Sequence, residues 1–211
     1  MISCGQSSII QLDKLEFDGE DIMYYHASGT KDLSTLEPRV SNHKIPLIYF
    51  SKKRENVLVY LSNAIQKYCI EQGFEHSGIW KKWASYGFDK DGIQRIEEYY
   101  PNALFDTYKG VSGYIYFAEM VEDSGFLTQI PDTVTSEKTI VVNGCEYIED
   151  AYEAILDAEK QGLVRISRYY ELSEKMMNWI KETITKEYEQ ASEHPDYRFF
   201  LEAKFGDLLQ L

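Results

Sequence analysis

The sequence predicts an α+β fold with a mixed β-sheet as its core. The segments rich in β-prone residues lie at about 22–27, 46–50, 111–118, 139–148 and 163–167. Helical patterns separate some of these strands, but without the strict alternation of a doubly wound fold. Asn143-Gly144, between two β-prone runs, predicts a two-residue hairpin turn. The length of 211 residues fits a single domain over 1–211.

Two helices are predicted to pack on this sheet. In residues 53–72, apolar side chains recur at steps of three and four, the period of a helix with one buried face. Residues 151–160 form a shorter helical pattern that ends before Gly162, a residue type that commonly terminates helices.

Two further regions are expected to lie outside the sheet core. Residues 73–109 are rich in aromatic side chains and contain a short helical pattern at 92–100, so they predict a helical, aromatic-rich insertion. Residues 169–211 predict a C-terminal helical appendage, with charged helices at 171–193 and 195–205.

The charge of the chain argues against two classes of partner. With 35 acidic and 22 basic side chains, the formal net charge is −13. An acidic surface repels the phosphates of nucleic acids and of anionic lipids. We therefore expect neither nucleic-acid binding nor membrane binding.

The cysteines and the N-terminal sequence indicate a cytoplasmic protein. Cys4, Cys69 and Cys145 have no paired spacing, so free thiols in a reducing compartment are expected. The first residues lack the pattern of a signal peptide, and no apolar run reaches the roughly 20 residues that span a bilayer. Delivery into a target cell by a route that needs no such signal is an alternative.

No metal site is predicted. The four histidines, His26, His43, His76 and His194, are scattered without the spacing of metal ligands. The glycine-rich phosphate-binding motifs and the nucleophile-elbow motif of hydrolases are also missing from the sequence.

Two segments carry the strongest functional signal. Each combines a short β-prone run with small polar residues at its end, where a backbone can approach a ligand closely. They are Tyr24-Tyr25-His26-Ala27-Ser28-Gly29-Thr30 and Leu47-Ile48-Tyr49-Phe50-Ser51.

These segments resemble the first two signatures of the ADP-ribosyltransferase fold, in its PARP-like His-Tyr-Glu class. The resemblance implies an ADP-ribosyltransferase-like sheet, NAD as the co-substrate and a glycosyltransferase reaction that moves ADP-ribose to a protein acceptor. It also implies a cofactor-binding set consisting of Tyr25, His26, Ala27, Ser28, Arg39, Tyr49, Phe50, Ser51 and Tyr60.

The chemistry of NAD cleavage gives roles to some of these residues. The reaction passes through a ribose cation, so the enzyme must hold the ribose, stack the nicotinamide ring and place a carboxylate nearby. His26 suits the first role, and Tyr49 or Tyr60 suits the second. A structural interpretation also applies: the histidine could bond its own turn, and the aromatic rings could belong to the core.

The carboxylate is assigned to Glu137, because Val134-Thr135-Ser136-Glu137 is similar to the segment that carries the catalytic glutamate in this class. Glu146 is one alternative. Glu149 and Asp150 are the others, although acidic residues at the start of a helix are explained by the helix dipole alone.

Other members of the fold use an aspartate and a glutamate, among them CteC-like bacterial effectors that ADP-ribosylate a threonine of ubiquitin. By that resemblance Asp32 is a further catalytic candidate, ubiquitin is the acceptor, and 73–109 is the part that holds it. The competing hypothesis is a catalytically inactive binding module with the same fold that acts through protein–protein contacts.

Overall fold

The structure, a computed structural model, describes residues 22–40, 44–76 and 85–211. Cys4, His43 and residues 77–84 of the expected insertion lie outside the described residues. The chain divides into two compact units, where the sequence predicts one domain with additions. Unit 1 comprises residues up to 61 together with 112–149, and unit 2 comprises 62–111 together with 150–211.

The described residues form eleven strands and five α-helices, which confirms the α+β class. The strands are β1 (Tyr24–Ser28), β2 (Thr35–Leu36), β3 (Arg39–Val40), β4 (Pro46–Ser51), β5 (Tyr86–Phe88), β6 (Gln94–Glu97), β7 (Gly113–Ala118), β8 (Thr133–Ser136), β9 (Ile140–Val141), β10 (Gly144–Ile148) and β11 (Val164–Ser167). The α-helices are α1 (Ala64–Gln72), α2 (Ala103–Tyr108), α3 (Ala151–Lys160), α4 (Glu174–Gln190) and α5 (Pro195–Leu209). Short 3₁₀ helices cover Arg54–Tyr60, Tyr169–Glu171 and Ala191–Glu193.

Unit 1 is built on a six-stranded sheet in the order β10-β7-β1-β4-β3, with β8 also paired to β4. Every pair in this sheet is antiparallel. The expectation of a mixed sheet core is therefore wrong for this unit. A parallel pair needs a long crossover connection back to the same sheet, and α3 instead leads to β11, which belongs to unit 2.

Side chains along each strand alternate between the two faces of the sheet of unit 1. In β7, Ile115 and Phe117 point to one face, whereas Tyr114 and Tyr116 point to the other. A small sheet of β2 and β9 supplies further apolar side chains to the Tyr116 face. The buried side chains of the apolar cluster on this face are Leu36, Ile48, Phe50, Tyr116, Ala118, Ile140 and Val142.

The predicted hairpin at Asn143-Gly144 does not form. β9 pairs with β2, and β10 pairs with β7, so the two runs that flank the dipeptide are not partners. Gly144 instead serves close packing, because a Cβ at this position would overlap Cζ of Phe117 and lie 3.0 Å from its Cε2. The Phe117 ring requires a glycine at this position. The Asn-Gly turn signature gives no indication of this packing.

The continuous helix predicted for 53–72 is also wrong. A 3₁₀ helix ends at Tyr60, and α1 begins only at Ala64. Leu61, with φ −84° and ψ 65°, leaves the helical region, and the following Ser62 and Asn63 are residue types that compete with helix formation. The break falls where the chain passes from unit 1 to unit 2.

Unit 2 contains a three-stranded sheet in the order β11-β6-β5, with β11 and β6 parallel. The prediction of a helical segment at 92–100 is wrong, because Gln94–Glu97 is a strand. Its residues alternate between the two faces, and partners on both edges of β6 supply its backbone hydrogen bonds. The predicted strand at 163–167 therefore forms, but it belongs to this sheet and not to the core of unit 1.

Helices make up the rest of unit 2. The two C-terminal helices form as expected, and they share one apolar cluster with α1 and with part of the aromatic-rich region. The helices predicted to pack on the main sheet, α1 and α3, both belong to unit 2. The buried members of the cluster are Ala64, Ile65, Cys69, Tyr99, Tyr100, Ala103, Ile180, Ile184, Ala191, Tyr197, Phe200, Leu201 and Phe205.

The cysteines differ from one another. Cys69 is a free thiol and is fully buried in unit 2. Cys145, on β10, is in a disulfide bond. The expectation that all three cysteines are free thiols is therefore wrong for Cys145.

Candidate functional site

The two segments with the strongest functional signal lie side by side in the sheet of unit 1. β1 and β4 are antiparallel neighbours, and Tyr25 pairs with Ser51. Nδ1 of His26 lies 2.9 Å from the carbonyl oxygen of Tyr49. A carbonyl oxygen can only accept, so Nδ1 carries the proton and, in the neutral ring, Nε2 carries the lone pair. The second strand thus fixes both the orientation and the tautomer of the histidine.

The predicted site residues are divided between the two faces of the sheet. The pairing of Tyr25 with Ser51 places both on one face, together with Tyr49. His26 points to the other face, where its ring lies 5.9 Å from that of Phe50. The aromatic neighbour of the histidine is therefore Phe50 and not Tyr49. Alternation along each strand excludes a single cleft lined by the side chains of both His26 and Tyr49.

The two serines predicted to line the site have local partners. Ser28 accepts a hydrogen bond from the backbone N–H of Thr30 at 3.1 Å, and Ser51 accepts one from Lys53 at 3.1 Å. Both contacts span two residues, the pattern by which a serine hydroxyl stabilises the turn that follows it. The two hydroxyl groups therefore have a structural role, which is to stabilise the turns that follow β1 and β4.

Asp32 lies in a loop that is held against the face of His26. On that face, Tyr116 is the direct neighbour of His26 across β1 and β7. The Tyr116 hydroxyl donates to the carbonyl of Thr30 at 2.7 Å and accepts from the N–H of Leu33 at 3.2 Å. Burial raises the pKa of Tyr116, and the nearby Asp32 charge raises it further. The tyrosine therefore brings the loop that carries Asp32 to the side of the sheet that carries the histidine. The Asp32 carboxylate itself lies 3.9 Å from Nζ of Lys31.

Glu137 is exposed at the end of β8. Ser51 pairs with Tyr25 on one side and with Thr133 on the other, so β8 and β1 lie on opposite sides of β4. Two strand spacings separate them, on the order of 10 Å. The role of Glu137 as the catalytic carboxylate stays a prediction.

Glu146 lies on the face opposite His26. It pairs with Ile115, which in turn pairs with Ala27, so its side chain shares the Tyr25 face. There it accepts two hydrogen bonds from Arg54, at 2.7 and 2.6 Å. Burial raises the pKa of Tyr25 beside this pair, and negative charge on the neighbouring acids adds to the shift.

The last three predicted site residues, Ala27, Arg39 and Tyr60, lie on three different elements of unit 1. Ala27 is a central residue of β1 and pairs with Ile115. Arg39 is exposed on β3 at the end of the sheet order, and Tyr60 is partly exposed at the end of its 3₁₀ helix.

Sequence reasoning does not identify the role of Tyr116. A tyrosine inside a β-prone run is usually a core residue, and only the pairing of β1 with β7 reveals which loop its hydroxyl reaches. The alternation of Tyr114 and Tyr116 is the one signal in the sequence, since it places both rings on one face.

Neither a metal cluster nor a membrane-spanning helix occurs in the described ranges. Within 22–40, 44–76 and 85–211, no group of three or more histidine, cysteine, aspartate or glutamate side chains could hold a metal ion. In the same part of the chain, no helix is both long enough and apolar enough to cross a bilayer.

A comparison of this chain with models of protein families, with curated proteins and with solved structures finds no significant match.

Proposed function

We propose that unit 1 binds NAD on the His26 face of its sheet and transfers ADP-ribose to a protein acceptor. The observation that carries this proposal is the hydrogen bond from His26 to the Tyr49 carbonyl. It joins the two segments that resemble the NAD-binding signatures, and it presents an imidazole of defined tautomer in the middle of β1. Such a group can hold a ribose hydroxyl in a fixed position.

The aromatic contact to the nicotinamide ring is assigned to Tyr60, whose side chain is 36% exposed. Phe50 is nearest to His26 but is buried in the apolar cluster on that face, and Tyr49 points to the other face.

Asp32 is assigned as the carboxylate, in keeping with the aspartate–glutamate variant of the fold, and Glu137 as its partner. The bond between ribose C1′ and the nicotinamide nitrogen breaks, and nicotinamide leaves with the electron pair. The acceptor oxygen forms a new bond to C1′ and gives its proton to the carboxylate, which releases it to water. The carboxylate also stabilises the positive charge that develops on the ribose.

The acceptor is proposed to be a protein hydroxyl, with a threonine of ubiquitin as the specific candidate. The net charge of −13 favours a partner with a basic face, because complementary charge steers encounter and rejects acidic partners.

The test is NAD titration by calorimetry combined with a nicotinamide-release assay with and without ubiquitin. His26→Ala should weaken NAD binding and turnover together, whereas Asp32→Asn should retain binding and lower turnover by about a hundredfold. Glu119→Gln, which changes an exposed carboxylate beyond the end of β7, is the matched control.

A second candidate function, the inactive binding module, rests on a separate observation. Tyr49 and Glu146, the alternative carboxylate, both lie on the face opposite His26, and Glu146 is engaged by Arg54. Binding of NAD without nicotinamide release in any combination, or no NAD binding at all, would favour this module.

A further inference from the structure

Unit 2 contains an open groove of about 490 Å³ between its three-stranded sheet and the start of α4. This volume lies within the range of about 300–1,000 Å³ that is typical of small-molecule sites. The sheet side contributes Tyr86, Gly87, Arg95, Glu97 and Tyr99, and the helix side contributes Ser173, Lys175, Met176 and Trp179.

Arg95 is held rigidly in this groove. Its Nε and Nη2 donate to one oxygen of Glu97 at 3.0 and 2.6 Å, and its Nη1 donates to Asp89. Gly87 makes this arrangement possible, since a Cβ there would lie 3.2 Å from Nη2 of Arg95 and 3.4 Å from the Glu97 oxygen. A guanidinium whose edge is occupied by carboxylates still offers its flat face, which stacks well on aromatic rings.

Trp179 provides an aromatic surface on the helix side. Its side chain stays 47% exposed, although its ring system packs in a T-shaped contact with the ring of Tyr99, at 5.7 Å between ring centroids. Tyr99 is fixed in turn, because its hydroxyl donates to the second oxygen of Glu97 at 3.3 Å. The groove therefore presents an exposed indole on a framework that is already ordered.

Lys175 is the lining cation that an anionic group of a ligand would approach. Glu97 and Asp89 already pair with Arg95, the other lining cation. Ser173 is the N-cap of α4 and accepts a hydrogen bond from the N–H of Met176. The positive end of this helix dipole adds to the local preference for a negatively charged group.

We infer that this groove binds a planar aromatic ligand that carries an anionic group, with the chemistry of a nucleoside monophosphate. The ring stacks against Trp179 and the guanidinium of Arg95, and the anion lies near Lys175 and the start of α4. The inference is independent of the proposed NAD site, because the groove belongs to the other unit.

The first test is a calorimetric titration of the full chain with AMP, adenosine, inorganic phosphate and benzoate. AMP should bind best, and Trp179→Ala should weaken its binding by about tenfold or more, the size of one base–aromatic stacking contact. Lys175→Gln should weaken AMP binding by about threefold and leave adenosine binding unchanged, as expected for a partly screened charge. A preference for benzoate over AMP would identify an aromatic carboxylate as the ligand and would overturn the nucleotide assignment.

Two controls test whether the loss of affinity is specific to the groove. Tyr170→Ala removes an aromatic ring that is 84% exposed and lies outside the groove, so AMP affinity should not change. His26→Ala should also leave AMP affinity unchanged, even if it abolishes NAD binding by unit 1. Equal loss of affinity in Tyr170→Ala and Trp179→Ala would overturn the proposal.

A measurement on the unaltered protein avoids dependence on the folding of any variant. In a ¹H–¹⁵N correlation spectrum, the indole N–H of Trp179 should shift on addition of AMP, with Trp179→Phe used only to assign the signal. Saturable shifts at Trp179 support the site, and an unchanged Trp179 signal at millimolar AMP contradicts it.

Discussion

Arg54 donates to both carboxylate oxygens of Glu146 and so joins the 3₁₀ helix at Arg54–Tyr60 to β10. The geometry is bidentate, the arrangement in which a guanidinium binds a carboxylate most strongly. The two side chains are 29% and 47% exposed, so water screens part of their attraction. The pair explains the position of Glu146 without any role in catalysis.

Glu146→Gln should therefore affect stability and not chemistry. Because the pair is partly exposed, we expect the free energy of unfolding to fall by about 0.5–1 kcal/mol. Urea denaturation followed by circular dichroism measures this loss, with Glu149→Gln, at an exposed position just after β10, as the control. Loss of the proposed NAD cleavage in Glu146→Gln at unchanged stability would show that the glutamate is catalytic after all.

Gly144→Ala should destabilise unit 1 by about 1–3 kcal/mol, the usual cost of forcing an extra methyl group into a packed site. The added Cβ would collide with the ring of Phe117. Thermal unfolding measures the effect. Combination with Phe117→Leu should recover part of the loss, and strictly additive effects of the two changes would contradict the proposed collision.

Asp89 should make unit 2 sensitive to acid. Hydrogen bonds from Arg165 and then Arg95 lower the pKa of this carboxyl below its ordinary value of 3.8. A depressed folded-state pKa contributes stability that is complete above the unfolded-state pKa and is lost as the pH falls through the folded-state value.

Unfolding in urea at neutral pH and below pH 4 tests this dependence. Asp89→Asn should lower stability at neutral pH and flatten the acid-dependent decline, since it removes the group that titrates. Asp123→Asn, in an exposed loop of unit 1, should leave the decline intact. An unchanged decline in Asp89→Asn would show that other carboxyl groups account for it.

Cys69 should resist alkylation in the native protein. Its side chain is fully buried, and burial raises the pKa of the thiol, so the reactive thiolate is both scarce and inaccessible. Iodoacetamide followed by peptide mass spectrometry should find Cys69 unmodified in buffer and modified in urea. Rapid labelling in buffer would mean that the helical core of unit 2 opens readily.

Local patterns in the sequence predict the longer strands and most helices correctly. β1, β4, β7 and β10 can be predicted because β-prone residues run together, a signal that needs no knowledge of partners. β6 cannot, because four residues with two charges, Gln94–Glu97, become a strand only through pairing with β5 and β11. The two-residue strands depend in the same way on distant partners.

For the candidate site, the sequence predicts which segments are neighbours but not which face of the sheet each side chain occupies. It correctly brings His26 and the 46–50 segment together, yet the orientation of Phe50 and Tyr49 depends on the register of β1 against β4. A shift of one residue in that register exchanges the two rings. The pairing of Tyr25 with Ser51 determines which of the two rings shares a face with His26, and it cannot be predicted from either segment alone.

The way in which the two units alternate along the chain affects how the protein folds during synthesis and whether it can be divided into folded fragments. Each unit draws on two separate stretches, so no single cut yields an intact half. During synthesis β6 must wait for β11, its parallel partner about seventy residues later, before its second edge is covered. Fragments produced by truncation or proteolysis should therefore be unfolded or aggregated, because such a fragment contains an unpartnered strand.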